Sequence, residues 1–168
     1  MNENDKTDPE IFRKAFGKAV NILSSRDRSK YEIIKALSEK GFDGAVTDMV
    51  IKRLTELRYI DDQRFAGRIT QSLLGKGYGR YQIKQRMSAK GIEENESENA
   101  ISLACSHEDE FKSAFSAATK KMRGLGSETD IIRIKAKLSR FLVGRGFSYD
   151  ISRDVVNEII SDYKMDHE

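Results

Sequence analysis

The stretch Leu57–Ile92 reads LRYIDDQRFAGRITQSLLGKGYGRYQIKQRMSAKGI. Asp61 and Asp62 form a turn that starts a helix, with Phe65 on its inner side. The glycines at 75, 77 and 79 interrupt the chain before a second helix. There Ile83 and Met87 stand four apart and so share one face. From Gln63 to Ile92 there is no Asp or Glu, against seven cations: Arg64, Arg68, Lys76, Arg80, Lys84, Arg86 and Lys90.

Working outward, the same unit recurs on both sides. SKYEIIKALSEKGF (29–42) lies over GRYQIKQRMSAKGI (79–92) at an offset of 50 residues. Tyr31 matches Tyr81, Ile33 matches Ile83, Leu37 matches Met87, and Lys40-Gly41 matches Lys90-Gly91. RIKAKLSRFLVGRGF (133–147) is a fainter third copy, 55 residues further on, in which Arg145-Gly146-Phe147 takes the same place. Beyond each glycine the apolar spacing also agrees: Val50, Ala100 and Val155 lie nine residues past it, and Leu54, Ala104 and Ile159 thirteen past it. The reading is an all-α fold of three tandem three-helix repeats over 9–62, 63–107 and 108–168. A unit of about 50 residues buries little alone, so neighbours should support one another in an elongated, curved stack. Residues 1–8 read as a disordered tail, and Asp162–Glu168 as a frayed end.

Local signals fit helices. Asp8-Pro9 starts the first, with Phe12, Phe16, Ala19 and Leu23 as its stripe. Ser29 and Glu32 form a capping box, and Gly41 stops the second helix. Asp43 caps a third, with Val46, Val50, Leu54 and Leu57 facing inward. The middle unit's third helix opens on the acidic EENESENA (93–100), where acids suit the helix dipole.

At 38% hydrophobic and 34% charged residues, this is a water-soluble composition with a modest core. One proline and few alternating β-branched runs favour helices. The lone Cys105 cannot make an internal disulfide, which fits a reducing compartment. The N-terminal MNENDKTDPE is not a signal peptide, and no apolar run nears the roughly 18 residues of a membrane span. A cytoplasmic protein is expected.

Chemical motifs are sparse. Asp61 and Asp62 invite metal binding or acid–base work, but no His, Cys or further carboxylate accompanies them, and helix capping is the plainer role. Gly75-Lys76-Gly77-Tyr78-Gly79 lacks the Gly-Lys-Ser/Thr ending of a phosphate loop. Cys105 and His107 have no second pair to make a zinc site. Tyr31 and Tyr81 suit packing or capping of the second helices, with base stacking the alternative. No enzyme, metal or cofactor is expected.

What remains is the cationic pattern. Ile131–Tyr149 carries five cations, and Lys112–Ser127 carries Lys112, Lys120, Lys121 and Arg123, again without an acid. A charge run is often a solvated face. Acid-free runs of this length also create a one-sign potential suited to a polyanion or an acidic protein groove. The candidate contacts are Arg68, Lys76, Arg80, Lys84, Arg86, Lys90, Arg133 and Lys137.

Leu57-x-Tyr59-Ile60-Asp61-Asp62-x-Arg64-Phe65-Ala66, followed by Lys-Gly-Tyr-Gly-Arg and the Lys90-Gly91-Ile92 turn, resembles the core signature of the RecX family of bacterial recombination regulators. Met87 stands where that signature has leucine. In this signature Asp61, Asp62, Phe65 and Gly91 are structural positions. The resemblance implies a non-enzymatic, monomeric, cytoplasmic protein that binds the RecA filament on DNA along its groove. It implies inhibition of the ATPase and strand exchange, filament disassembly, and so modulation of DNA repair, recombination and the SOS response. It also implies weak, sequence-independent contact with single- and double-stranded DNA. Two other readings remain open: a basic helical module acting on bare DNA without RecA, and a scaffold for acidic proteins.

Overall fold

A computed structural model of the chain describes residues 8–126 and 128–165. Every regular element among them is a helix: α1 Pro9–Ser25, α2 Lys30–Glu39, α3 Gly44–Glu56, α4 Asp62–Gly75, α5 Arg80–Ser88, α6 Glu94–Ala104, α7 His107–Arg123, α8 Ile131–Gly144 and α9 Tyr149–Met165. Taken in threes, they form units 1, 2 and 3, each with its own apolar core. The all-α tandem three-helix repeat read from the sequence is therefore the fold.

Each unit is built alike. The first helix buries a pair of small residues four apart: Ala15 and Ala19, Ala66 and Thr70, Ala114 and Ala118. Small side chains let the third helix of the unit lie close against the first, and α1 packs on α3, α4 on α6 and α7 on α9. The second helix supplies Ile33 and Leu37, Ile83 and Met87, or Leu138 and Leu142, all fully buried. It ends at a glycine of positive φ: Gly41 (+84°), Gly91 (+72°) and Gly146 (+86°). The residue after each glycine donates its N–H back to the carbonyl of Leu37, Met87 or Leu142, closing the helix end.

Several local readings hold. Asp8, Ser29 and Asp43 cap α1, α2 and α3, and Ser29 with Glu32 forms the full capping box. Others shift. Leu57 follows α3 rather than facing its core and is 38% exposed. Tyr81 is 70% exposed, so its ring does not pack. The first helices of units 2 and 3 start at Asp62 and His107. Residues 162–165 continue α9, where fraying was expected. Of the tail expected at 1–8, Asp8 is ordered as the cap of α1; residues 1–7 and 166–168, and Ser127, lie outside the described residues.

The units are joined by two equivalent junctions. At the first, the N-terminus of α2 meets the glycine turn of unit 2. Ser29 Oγ donates to the Lys90 carbonyl (2.6 Å), and a Cβ on Gly91 would overlap the Tyr31 side chain. The Lys30 N–H donates to Asp62 Oδ1 (2.9 Å). At the second, the N-terminus of α5 meets the glycine turn of unit 3. Gly79 N–H donates to the Arg145 carbonyl (2.9 Å) and Tyr81 N–H to the Gly146 carbonyl (3.1 Å). Arg80 N–H donates to Glu110 Oε1 (3.2 Å). Lys30 and Arg80 are 50 apart, while Asp62 and Glu110 are 48 apart, the same offset as Ala66 and Ala114. A carboxylate on each following unit thus caps the second helix of the preceding one.

Gly41, the equivalent glycine of unit 1, has open space around it. The N-terminus of α8 is capped by its own Asp130, which accepts from Ile132 N–H (2.9 Å) and Arg133 N–H (3.3 Å).

Candidate nucleic-acid and partner interface

The junctions create two matching clefts. The first, about 570 Å³, runs between the end of α1, helix α4 and the end of α5. Its floor is Phe65, Ile69 and Leu73; its rim is Arg26, Arg68, Arg86 and Lys90, with Asp27. The second, about 730 Å³, runs between the end of α4, helix α7 and the end of α8. Lys76, Lys112, Lys120, Lys121 and Arg145 line it, against one acid, Asp109. Tyr78 links the two: the Arg86 guanidinium lies 4.3 Å from its ring centre and that of Arg145 5.0 Å.

The eight candidate cations divide. Arg68, Arg86 and Lys90 line the first cleft, and Lys76 the second. Arg80 and Lys84 line a different cleft of about 480 Å³ that includes Glu98 and Glu110. Arg133 pairs with Asp130 (3.4 Å) and Lys137 with Glu128 (2.6 Å), at the start of unit 3's second helix.

The acid-free run is not acid-free in space. Lys84 lies between Glu94 (2.5 Å) and Glu98 (2.8 Å) on α6, whose hydrogen bonds raise its ammonium above the ordinary lysine range. Arg68 pairs with Asp27, and Lys90 with Glu32 (3.2 Å). Burial pushes the Glu32 carboxyl up, but hydrogen bonds from Ser29 N–H, Lys90 and Arg26 outweigh it and hold the group below its usual value. Arg80 is used structurally. Its Nε donates to Glu110 (2.8 Å) and its Nη2 to the Cys105 carbonyl (2.8 Å).

The aspartate pair also splits. Asp61 Oδ1 accepts from Arg64 N–H and caps α4. Asp62 is 8% exposed and reaches across the junction; burial raises its carboxyl, an effect the Lys30 N–H partly offsets. Phe65 and Gly91 sit in the unit 2 core and at the first junction. Cys105 is 1% exposed, and burial pushes its thiol up. Among the described residues no group of three or more His, Cys, Asp or Glu could hold a metal, and no helix is long and apolar enough to cross a membrane.

The sequence reading gave Glu110 no role, placed Arg145 only as the third copy's turn and Tyr78 only in the glycine-rich loop, and left Lys120 and Lys121 out of the candidate contacts. The offset of 48 linking Ala66 to Ala114 would have aligned Asp62 with Glu110. The offset of 55 sets Arg145 over Lys90, and both carbonyls accept across a junction.

Comparison with known proteins agrees with the unit structure. Models of the first, second and third three-helix domains of RecX match residues 15–54, 61–101 and 108–156. The regulatory protein RecX of Vibrio vulnificus is 33% identical over 140 residues, covering 83% of this chain and 89% of that one. That of Chlorobaculum tepidum is 32% identical over 149 residues, covering 88% and 89%. The crystal structure of RecX from Lactobacillus salivarius has the same fold, with a TM-score of 0.81 at 24% identity, covering 89% of this chain and 96% of that one. With all three domains matched in order and relatives aligned over most of their length, this chain belongs to the RecX family of regulatory proteins.

Proposed function

We propose that this chain is a non-enzymatic regulator that binds the RecA–DNA filament in its groove and inhibits its ATPase and recombinase activity, so modulating DNA repair and recombination in the bacterial cytoplasm. The observation that supports this reading most is the ordered match to all three RecX domains. The architecture suits it. Three small cores joined in line give a body able to bridge successive subunits of a helical polymer. The paired clefts place cations and an apolar floor along that body, a combination fitted to a filament made of both protein and phosphate. On this reading the chain acts as a monomer. The candidate contacts on this reading are Arg68, Lys76, Arg86 and Lys90 at the clefts. Arg80, Lys84, Arg133 and Lys137 contribute to the surrounding potential from within ion pairs.

The lysine-lined second cleft favours one other reading, a module acting on bare DNA without RecA. Sedimentation separates them. The chain is expected to pellet with RecA–single-stranded DNA filaments at concentrations where it leaves bare DNA largely unbound. Equal capture by bare DNA and by filaments would favour the module.

A further inference from the structure

The two junction clefts are copies of one design, and their differences are directional. The α4 positions Phe65, Arg68, Ile69, Ser72 and Leu73 line the first cleft. At the offset of 48, the α7 positions Ser113, Ser116, Ala117, Lys120 and Lys121 line the second. On this helix the apolar wall has become hydroxyls, a methyl group and two ammonium groups, while Leu74 and Phe141 line the cleft from α4 and α8. Arg26 and Asp27 at the end of α1 correspond to Lys76 and Gly77 at the end of α4, so the acid at that position is gone, and the second cleft's one acid, Asp109, comes from α7 instead.

The charges are also differently committed. In the first cleft Arg26 and Lys90 share Glu32, and Arg68 holds Asp27. In the second, Arg145 donates to the Lys76 carbonyl (2.9 Å) and Lys112 pairs with Glu108 (2.5 Å). Lys121 stands 5.7 Å from the Phe141 ring centre. Among the described residues no ion pair engages Lys76, Lys120 or Lys121, and all three are exposed.

A protein partner needs an apolar anchor point, and in this cleft the apolar residues Leu74 and Phe141 remain, the Phe141 ring facing Lys121 and Arg145. A nucleic-acid backbone needs cations and hydroxyl donors on a polar wall. We propose that the cleft between units 2 and 3 seats the phosphodiester backbone of nucleic acid, gripped by Lys76, Lys120 and Lys121. This rests on the reading of the chain as a regulator of a DNA-borne filament and assigns the phosphate contact to one place on it.

The test is equilibrium binding of a labelled single-stranded oligonucleotide, by anisotropy, across a range of salt concentrations. The full chain carrying Lys76→Ala, Lys120→Ala and Lys121→Ala is expected to bind at least about tenfold more weakly, with a log–log salt slope lower by roughly 2, since each phosphate contact on a single strand contributes about 0.7. The charge-matched variant Lys35→Ala, Lys40→Ala and Lys52→Ala, on unit 1, is expected to stay within about threefold of the wild type. Melting followed by circular dichroism checks that both fold, and Lys120→Glu alone gives the same reading should the triple variant not fold. A cleft variant that binds as the wild type does overturns the proposal, as does a wild type with no measurable oligonucleotide binding. So does loss of filament binding with unchanged oligonucleotide affinity, which would assign the cleft to protein. Cleft-dependent oligonucleotide binding by a chain that ignores RecA filaments would sink the filament reading and leave this one standing.

Discussion

Gly146→Ala is expected to separate unit 3 from unit 2, destabilising the protein by roughly 4 kcal/mol or more, the range reserved for severe steric lesions. Two costs combine there. An alanine at a φ of +86° costs about 1–2 kcal/mol for its backbone alone. The added Cβ would also overlap the Gln82 backbone nitrogen, at the start of α5, which cannot rotate away as a side chain could. Gly41→Ala isolates the first cost. Its φ is +84°, yet nothing surrounds it, so only the roughly 1–2 kcal/mol backbone penalty is expected. For a chain of this size each kcal/mol moves the melting temperature by about 2–4 °C, so the two variants should differ by several degrees. The thiol of Cys105 gives a second readout. It is 1% exposed beside the second junction, and it should react with a thiol reagent far faster in Gly146→Ala than in the wild type. Equal melting temperatures for the two alanine variants, with Cys105 still protected, would mean that the glycine turn does not hold the units together.

Glu110→Ala is expected to cost roughly 2–3 kcal/mol, and Asp62→Ala less than about half of that. Both carboxylates do the same work at equivalent places, but their helices differ. The N-cap of α2 is Ser29, with a complete capping box, so Lys30 N–H sits on a helix end already served. The N-cap of α5 is Gly79, with no side-chain cap. There the Glu110 carboxylate, 2% exposed, serves both the Arg80 N–H and its guanidinium. Removing it strands a helix N-terminus and a charged group. The Arg80 side chain is 41% exposed and can rehydrate in part, which keeps the cost below the roughly 3–5 kcal/mol of a fully buried broken pair. Urea unfolding midpoints of the two variants measure the difference. Equal losses would show that the capping box of α2 contributes nothing extra.

The repeat was legible because its determinants are local in sequence. A glycine forced to positive φ and apolar residues at fixed distances from it leave a periodic trace, and the second and third helices of each unit carry that trace. The caps at Asp8, Ser29, Asp43 and Asp61 were legible for the same reason, since each acts within three residues. What bound the units together was not. Asp62 bonds a backbone N–H 32 residues away and Glu110 one 30 residues away, and neither distance has a sequence pattern. The cationic run misled in a related way. Lys84 finds its acids ten and fourteen residues on, in α6, and Arg68 finds Asp27 in the preceding unit, so four cations of an acid-free stretch, Arg68, Arg80, Lys84 and Lys90, are ion-paired in space. Lys120 and Lys121 fell in a shorter run and drew less attention, yet they line the most cation-rich cleft with Lys76.

The most direct measurement is ATP hydrolysis by RecA assembled on single-stranded DNA, titrated with this chain. A regulator lodged in the filament groove spans several subunits, so the rate should fall well before one chain is present per RecA subunit. An unchanged rate with the chain in excess, under conditions where it is fully folded, would contradict the account.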